Sequence, residues 1–159
     1  VRAAAADLRS ALLVTAALAL AACSSTPRPV EHPPGTGDTI AAIAASLVGA
    51  RYQFGGADTA GFDCSGLALY VHERVGLPIP RTARQQRLAA RPVPLAELAP
   101  GDLVFFSLHH RIDHVGVYAG GGRFIHAPRA GLAVAYADLT TGYYRQHLVS
   151  AGRFWGTVP

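Results

Sequence analysis

The order of periodicities along the chain predicts an α+β domain. Apolar stripes at helical spacing occupy residues 40–90, and short apolar runs broken by Gly and Pro occupy residues 100–155. Helices first and antiparallel strands afterwards is the signature of that class. Half of the 159 residues are hydrophobic and 15% are charged, enough for one modest core and no more.

The first helix is read from "TIAAIAASLVGARY". Its apolar residues fall at 40, 43, 44, 47 and 48, with Asp38 or Thr39 as N-cap and Gly49 near the stop. The loop "QFGGADTAGFD" leads to a second helix over residues 64–75. Leu67, Tyr70, Val71 and Val75 form its inner face, and Gly76 ends it. A turn and a short third helix from residue 82 follow. Then "LAPGDLVFF" is a turn into a strand, and "HVGVYA" and "RFIHA" are a hairpin around Gly120, Gly121 and Gly122. "LAVAYA" and "LVSAGRFW" supply the last strands.

The formal charge is +4, and all 14 basic residues are arginine. That balance suits an anionic partner such as a phospholipid surface or the cell wall. Arg81, Arg84, Arg87 and Arg91 are spaced to share one face of a short helix, read as a solvated face. No aromatic residues interleave with them, so nucleic-acid binding has no support.

Two cysteines punctuate this plan. Residues 1–22 carry Arg2 and Arg9, then an apolar run too short to span a bilayer, which is a secretory signal. The run ends in Leu20-Ala21-Ala22-Cys23. This resembles a bacterial lipobox, whose cysteine is acylated and becomes the new N-terminus. Each buried methylene of an acyl chain gains ~0.8 kcal/mol, so Cys23 is read as a membrane anchor. Ser24 in place of aspartate resembles Gram-negative lipoproteins of the outer membrane, facing the periplasm. The alternative is an ordinary signal peptide with Cys23 incidental. Residues 23–38 then form the anchor and a Pro/Gly linker, and residues 39–159 the folded domain.

Cys64 opens the second helix, where free backbone N–H groups and the helix dipole favour a thiolate. With Cys23 acylated it has no disulfide partner, although the compartment is oxidising. A buried small hydrophobe or a Cys23–Cys64 disulfide are the alternatives. A thiol nucleophile needs a base and a group that orients the base. Of seven histidines, His32 lies in the linker, His72 is read as turned outward, and His109, His110 and His147 fall in or near loops.

His114 and His126 differ, because they flank the three glycines on successive strands. If those glycines form the loop, Ala119 pairs with Arg123 and Gly116 lies opposite His126. His114 then shares a face with His126 at roughly 7–8 Å between Cα atoms, within reach for two rings. A loop one residue longer or shorter, without a bulge, would separate them. Cys64, His114 and His126 are thus the candidate nucleophile, base and orienter. The Cys/His positions lack a metal-ligand spacing, so no metal or other cofactor is expected.

"YQFGG", "GFDCSGLALYV", "PIPRTARQQ", "PGDLVFF" and "DHVGVYAGGGRFIHAP" occur in an order that resembles the NlpC family of bacterial cell-wall cysteine peptidases. The resemblance implies a papain-like α+β fold, with the cysteine at a helix start packed on an antiparallel sheet. It assigns Cys64, His114 and His126 the roles above and gives Tyr52 a place near the oxyanion or substrate. Asp63 and Ser65 match positions that contact a substrate amine in some relatives. Their ordinary reading is a turn aspartate and a helix-start serine. Arg81 is read as a surface ion pair, and Asp113 as pointing away from the face of His114. The implied substrate is the peptidoglycan stem peptide, cut between D-glutamate and meso-diaminopimelate by a monomer. An amidase or acyltransferase on the same fold, or an inactive wall-binding scaffold, are the competing readings.

Overall fold

The structure is a computed structural model that describes Pro33 and residues 35–156. The signal segment, Cys23 and most of the linker lie outside the described residues. Three helices lead the described residues: α1 (Thr36–Ser46), α2 (Cys64–Glu73) and α3 (Ala83–Ala89). Two short strands between α1 and α2, β1 (Ala57–Asp58) and β2 (Gly61–Phe62), pair with each other. The rest is a six-stranded antiparallel sheet of β3 (Arg91–Val93), β4 (Leu103–Ser107), β5 (Ile112–Gly120), β6 (Arg123–His126), β7 (Ala135–Asp138) and β8 (Leu148–Arg153). Its order is β3-β8-β4-β5-β6-β7. A fourth helix, α4 (Gly142–His147), joins β7 to β8.

The sheet divides the interior into two cores, as strand alternation requires. Val115 and Val117 of β5 join Ile40, Leu67 and Val71 on the face covered by helices α1 and α2. Val104, Phe106 and Phe124 turn to the other face, where Tyr144 of α4 packs on them. The expected α+β plan holds.

Several boundaries move for physical reasons. Helix α1 begins at Thr36, before the Asp38 or Thr39 cap that the sequence suggests, and Gly35 (φ 85°) precedes it without a side-chain cap. Gly37 lies hard against the Pro100 carbonyl and the Trp155 ring, where no Cβ would fit, so a tertiary contact extends the helix backwards. Helix α2 stops at Glu73, and the chain turns through Gly76 (φ 77°). His72, read as outward, is 0% exposed. Helix α2 packs on α1, α3, β1 and β5, so its buried face is wider than the apolar stripe suggests. His72 Nδ1 bonds the Ala68 carbonyl, and its ring meets Phe154 edge-on. The four arginines do not share a helix face. Arg84 and Arg87 lie on α3, Arg81 precedes it, and Arg91 is on β3.

The hairpin reaches the predicted register by another route. Gly120 rather than Ala119 pairs with Arg123, leaving Gly121 and Gly122 as the turn, with φ of 59° and 71°. Positive φ at both central residues suits a tight hairpin turn. That loop is one residue short, and a bulge at Ala119 corrects it, so that Val117 pairs with Ile125. Carried one step further, Gly116 lies opposite His126, as the sequence argument requires.

Candidate active site

Asp63 fixes the start of α2. Its Oδ1 accepts from the Gly66 N–H at 2.7 Å, the Ser65 hydroxyl at 3.2 Å and Arg81 Nη1 at 3.0 Å. Its Oδ2 accepts from Arg81 Nη2 at 2.6 Å and the Gly55 N–H at 3.0 Å. One carboxylate therefore caps the helix, holds the Gly55-Gly56 loop and neutralises Arg81. Burial would raise its pKa, but the bonds from Arg81 and Gly66 outweigh that and hold it below the usual carboxylate value. The ion pair expected for Arg81 is present, and its partner is Asp63. Ser65 also accepts from Arg81, at 2.9 Å. The loop comes so close that a Cβ on Gly66 would collide with the Gly56 carbonyl.

Cys64, first residue of that helix, meets the free edge of β5. Strand β6 ends at His126, opposite Gly116, so the β5 edge before it has no strand partner on that side. The thiol reaches this edge, with Sγ 3.9 Å from the Asp113 carbonyl oxygen. The sulfur thus lies against the backbone immediately before His114.

The charge state differs from the expectation for a helix start. Burial, with a smaller push from Asp63, raises the thiol to about 11, against the downward pull of the Val115, Ser65 and Cys64 N–H groups. Desolvation wins over the helix terminus. This balance favours the thiol over the thiolate at rest.

His114 and His126 meet as the register predicts. His114 Nε2 and His126 Nδ1 are 2.8 Å apart with ring planes at 86°. The residues are 4% and 3% exposed. Burial lowers His114 to about 4, opposed by Asp113, and lowers His126 to about 3, helped by His114. Both are neutral at pH 7. For His114 to receive a proton on Nδ1, its Nε2 must carry the other, and His126 Nδ1 then accepts that hydrogen bond. Asp113 does point away from this face: its carboxylate takes the Leu108 N–H at 2.9 Å and His109 at 2.7 Å.

A cleft of about 510 Å³ opens in front of the sulfur. Tyr52, Asp63 and Ser65 line it, as do Arg84, Phe54 and Asp113. The Tyr52 hydroxyl is pushed up by burial first, then by charge on Cys64 and Asp63. Sequence reasoning passed over Phe54, which stands 89% exposed at the cleft wall. No local signal marked it, because a single exposed aromatic residue is ordinary on a protein surface. Reasoning also missed Tyr144, on a helix too short to show a period.

The site and fold have parallels among known proteins. The gamma-D-glutamyl-L-lysine dipeptidyl-peptidase of Bacillus subtilis is 37% identical over 128 residues, 79% of this chain and 43% of that protein. The murein DD-endopeptidase MepH of Escherichia coli is 43% identical over 112 residues, 67% of this chain and 41% of that protein. The chain thus spans about two fifths of the length of these relatives. A solved NlpC/P60 family protein from Bacillus cereus superposes with a TM-score of 0.72 at 31% identity, over 77% of this chain and 41% of that one. The fold is therefore the papain-like one. A model of the NlpC/P60 family matches residues 49–153, from the turn after α1 through β8, and the chain belongs to that family.

Proposed function

We propose that the chain is a peptidoglycan endopeptidase acting through Cys64, His114 and His126. The observation that carries this is the assembly of a helix-start thiol and a 2.8 Å histidine pair from three separate elements. The thiol proton passes to His114 Nδ1 as Sγ attacks the amide carbonyl. The oxyanion is held by the Cys64 N–H and the Tyr52 hydroxyl. Collapse breaks the C–N bond, the amine leaves with the proton from His114, and a thioester remains on Cys64. Water then attacks the thioester, losing its proton to His114, and the acid departs as the thiol is restored.

The substrate class is the stem peptide, cut between D-glutamate and meso-diaminopimelate. Support comes from the γ-D-glutamyl bond in the name of the Bacillus relative. The Escherichia relative is named for a DD bond, which keeps that alternative in the test. Asp63 and Ser65 are cleft-wall residues whose polar atoms already satisfy each other and Arg81, so their role is to shape the wall. Acylation of Cys23 would tether the domain to the outer membrane beside its substrate. The full chain incubated with purified muropeptides should give fragments split after D-glutamate, absent with Cys64→Ala. Fragments split at a DD bond instead would refute the bond assignment, and none at all would refute the endopeptidase.

A further inference from the structure

Helix α4 has no part in the chemistry above, yet it supplies a ring that packs on both members of the histidine pair. The Tyr144 ring lies 5.0 Å from His126 at 86° and 6.1 Å from His114 at 24°. It also meets Phe106 at 5.4 Å and Phe124 at 5.1 Å. Of the two histidines, Phe106 pairs only with His114, at 5.9 Å, and Phe124 only with His126, at 5.0 Å. Among the described residues, Tyr144 is the one phenyl-type ring paired with both.

We propose that Tyr144 is a positioning residue: its ring closes the far side of the sheet over His114 and His126 and holds them perpendicular and in hydrogen-bonding contact. Two histidines joined by one hydrogen bond can each turn about χ2, and that bond has direction only if both ring planes are fixed. Tyr144 fixes them by an edge-to-face contact on one and an offset stack on the other. The same ring excludes water, which would otherwise compete for Nε2 and Nδ1. The phenol hydroxyl bonds neither ring, so the packing surface carries the role. The rings facing the pair besides Tyr144 are Phe106 on β4 and Phe124 on β6, and Asp113, turned to the other side, is the nearest charge acting on His114. Arg129 and Tyr143 are the charged or titratable neighbours of Tyr144.

The inference rests on His114 being the base, so its test has a readout that needs no turnover. Ring-proton NMR titration of the full chain follows His114 and His126 without substrate, and kcat and KM are then measured on muropeptides. Tyr144→Phe should match the wild type in both. Tyr144→Ala should move the histidine titration and the acid limb of kcat upward together, toward the ordinary value near 6.5. It should lower kcat by about 10²-fold, the scale of a slight misplacement, with KM unchanged. Tyr144→Leu, which keeps bulk but not the stacking, should fall between and serves if the alanine variant does not fold. An unchanged titration and kcat in a folded variant would overturn the proposal. So would equal loss in the phenylalanine variant, or a change in KM alone. If the titration moves as expected while the wild type cleaves no muropeptide, the positioning role stands and the endopeptidase reading fails.

Discussion

At the scale of single residues, the site is set by which force dominates at each atom. Cys64 sits at a helix start, yet burial raises its thiol to about 11. His114, lowered to about 4, is neutral, as the proposed base for this thiol must be. Iodoacetamide should therefore react with Cys64 slowly at pH 7 and faster with each pH step toward about 11. A rate that levels off below pH 7 would mean a standing thiolate–imidazolium pair and contradict this charge state. In the proposed mechanism His126 acts through its 2.8 Å bond to His114. His126→Ala should lower kcat by about 10–10²-fold with little change in KM, and His126→Asn, which keeps an acceptor, should recover part of it.

At the scale of elements, the hairpin and α2 bring the site together, and they differ in how far the sequence revealed them. The face shared by His114 and His126 was legible because period-2 alternation is strict and three glycines mark the turn. The bulge at Ala119 was not, since a two-residue glycine turn with a bulge and a three-residue loop give the same register further on. Asp63 was legible as a turn residue, but its grip on Arg81 joins chain segments 18 residues apart. The inward turn of His72 and the packing of α4 depend in the same way on neighbours distant in sequence. The thiol pKa was misread because burial cannot be seen from a helix boundary. One element-scale consequence is steric. Gly116 lies beneath the Phe124 ring, and a Cβ there would need to displace it. Phe124 in turn supports His126 at 5.0 Å. Gly116→Ala should cost about 1–3 kcal/mol of stability by overpacking and lower activity more than the stability loss explains. Thermal melts paired with kcat check this, and a fully active, destabilised variant would contradict it.

At the scale of the whole molecule, three buried neutral histidines govern acid stability. His72 and His114 are lowered to about 4 and His126 to about 3, while unfolded histidine titrates near 6.5. Between these values the unfolded chain binds more protons, so stability should fall as pH drops from about 6.5 toward 3. His72 alone, with a gap of about 2.5 units, corresponds to roughly 3 kcal/mol. Asp63 and Asp113, whose pKa values are depressed, add a further loss only below the ordinary carboxylate range. Urea midpoints measured from pH 7 to pH 4 should decline, and less steeply in His72→Leu. A flat profile would contradict the burial of neutral rings. The proposed chemistry converges on one sulfur, that of Cys64 at the open edge of β5. Its role is tested most directly by mixing the full chain with a muropeptide, quenching in acid and weighing the intact protein. The expected result is a mass increase equal to the acyl half of the substrate, located at Cys64 and released by hydroxylamine. Turnover that continues without any adduct, and undiminished in Cys64→Ala, would contradict it.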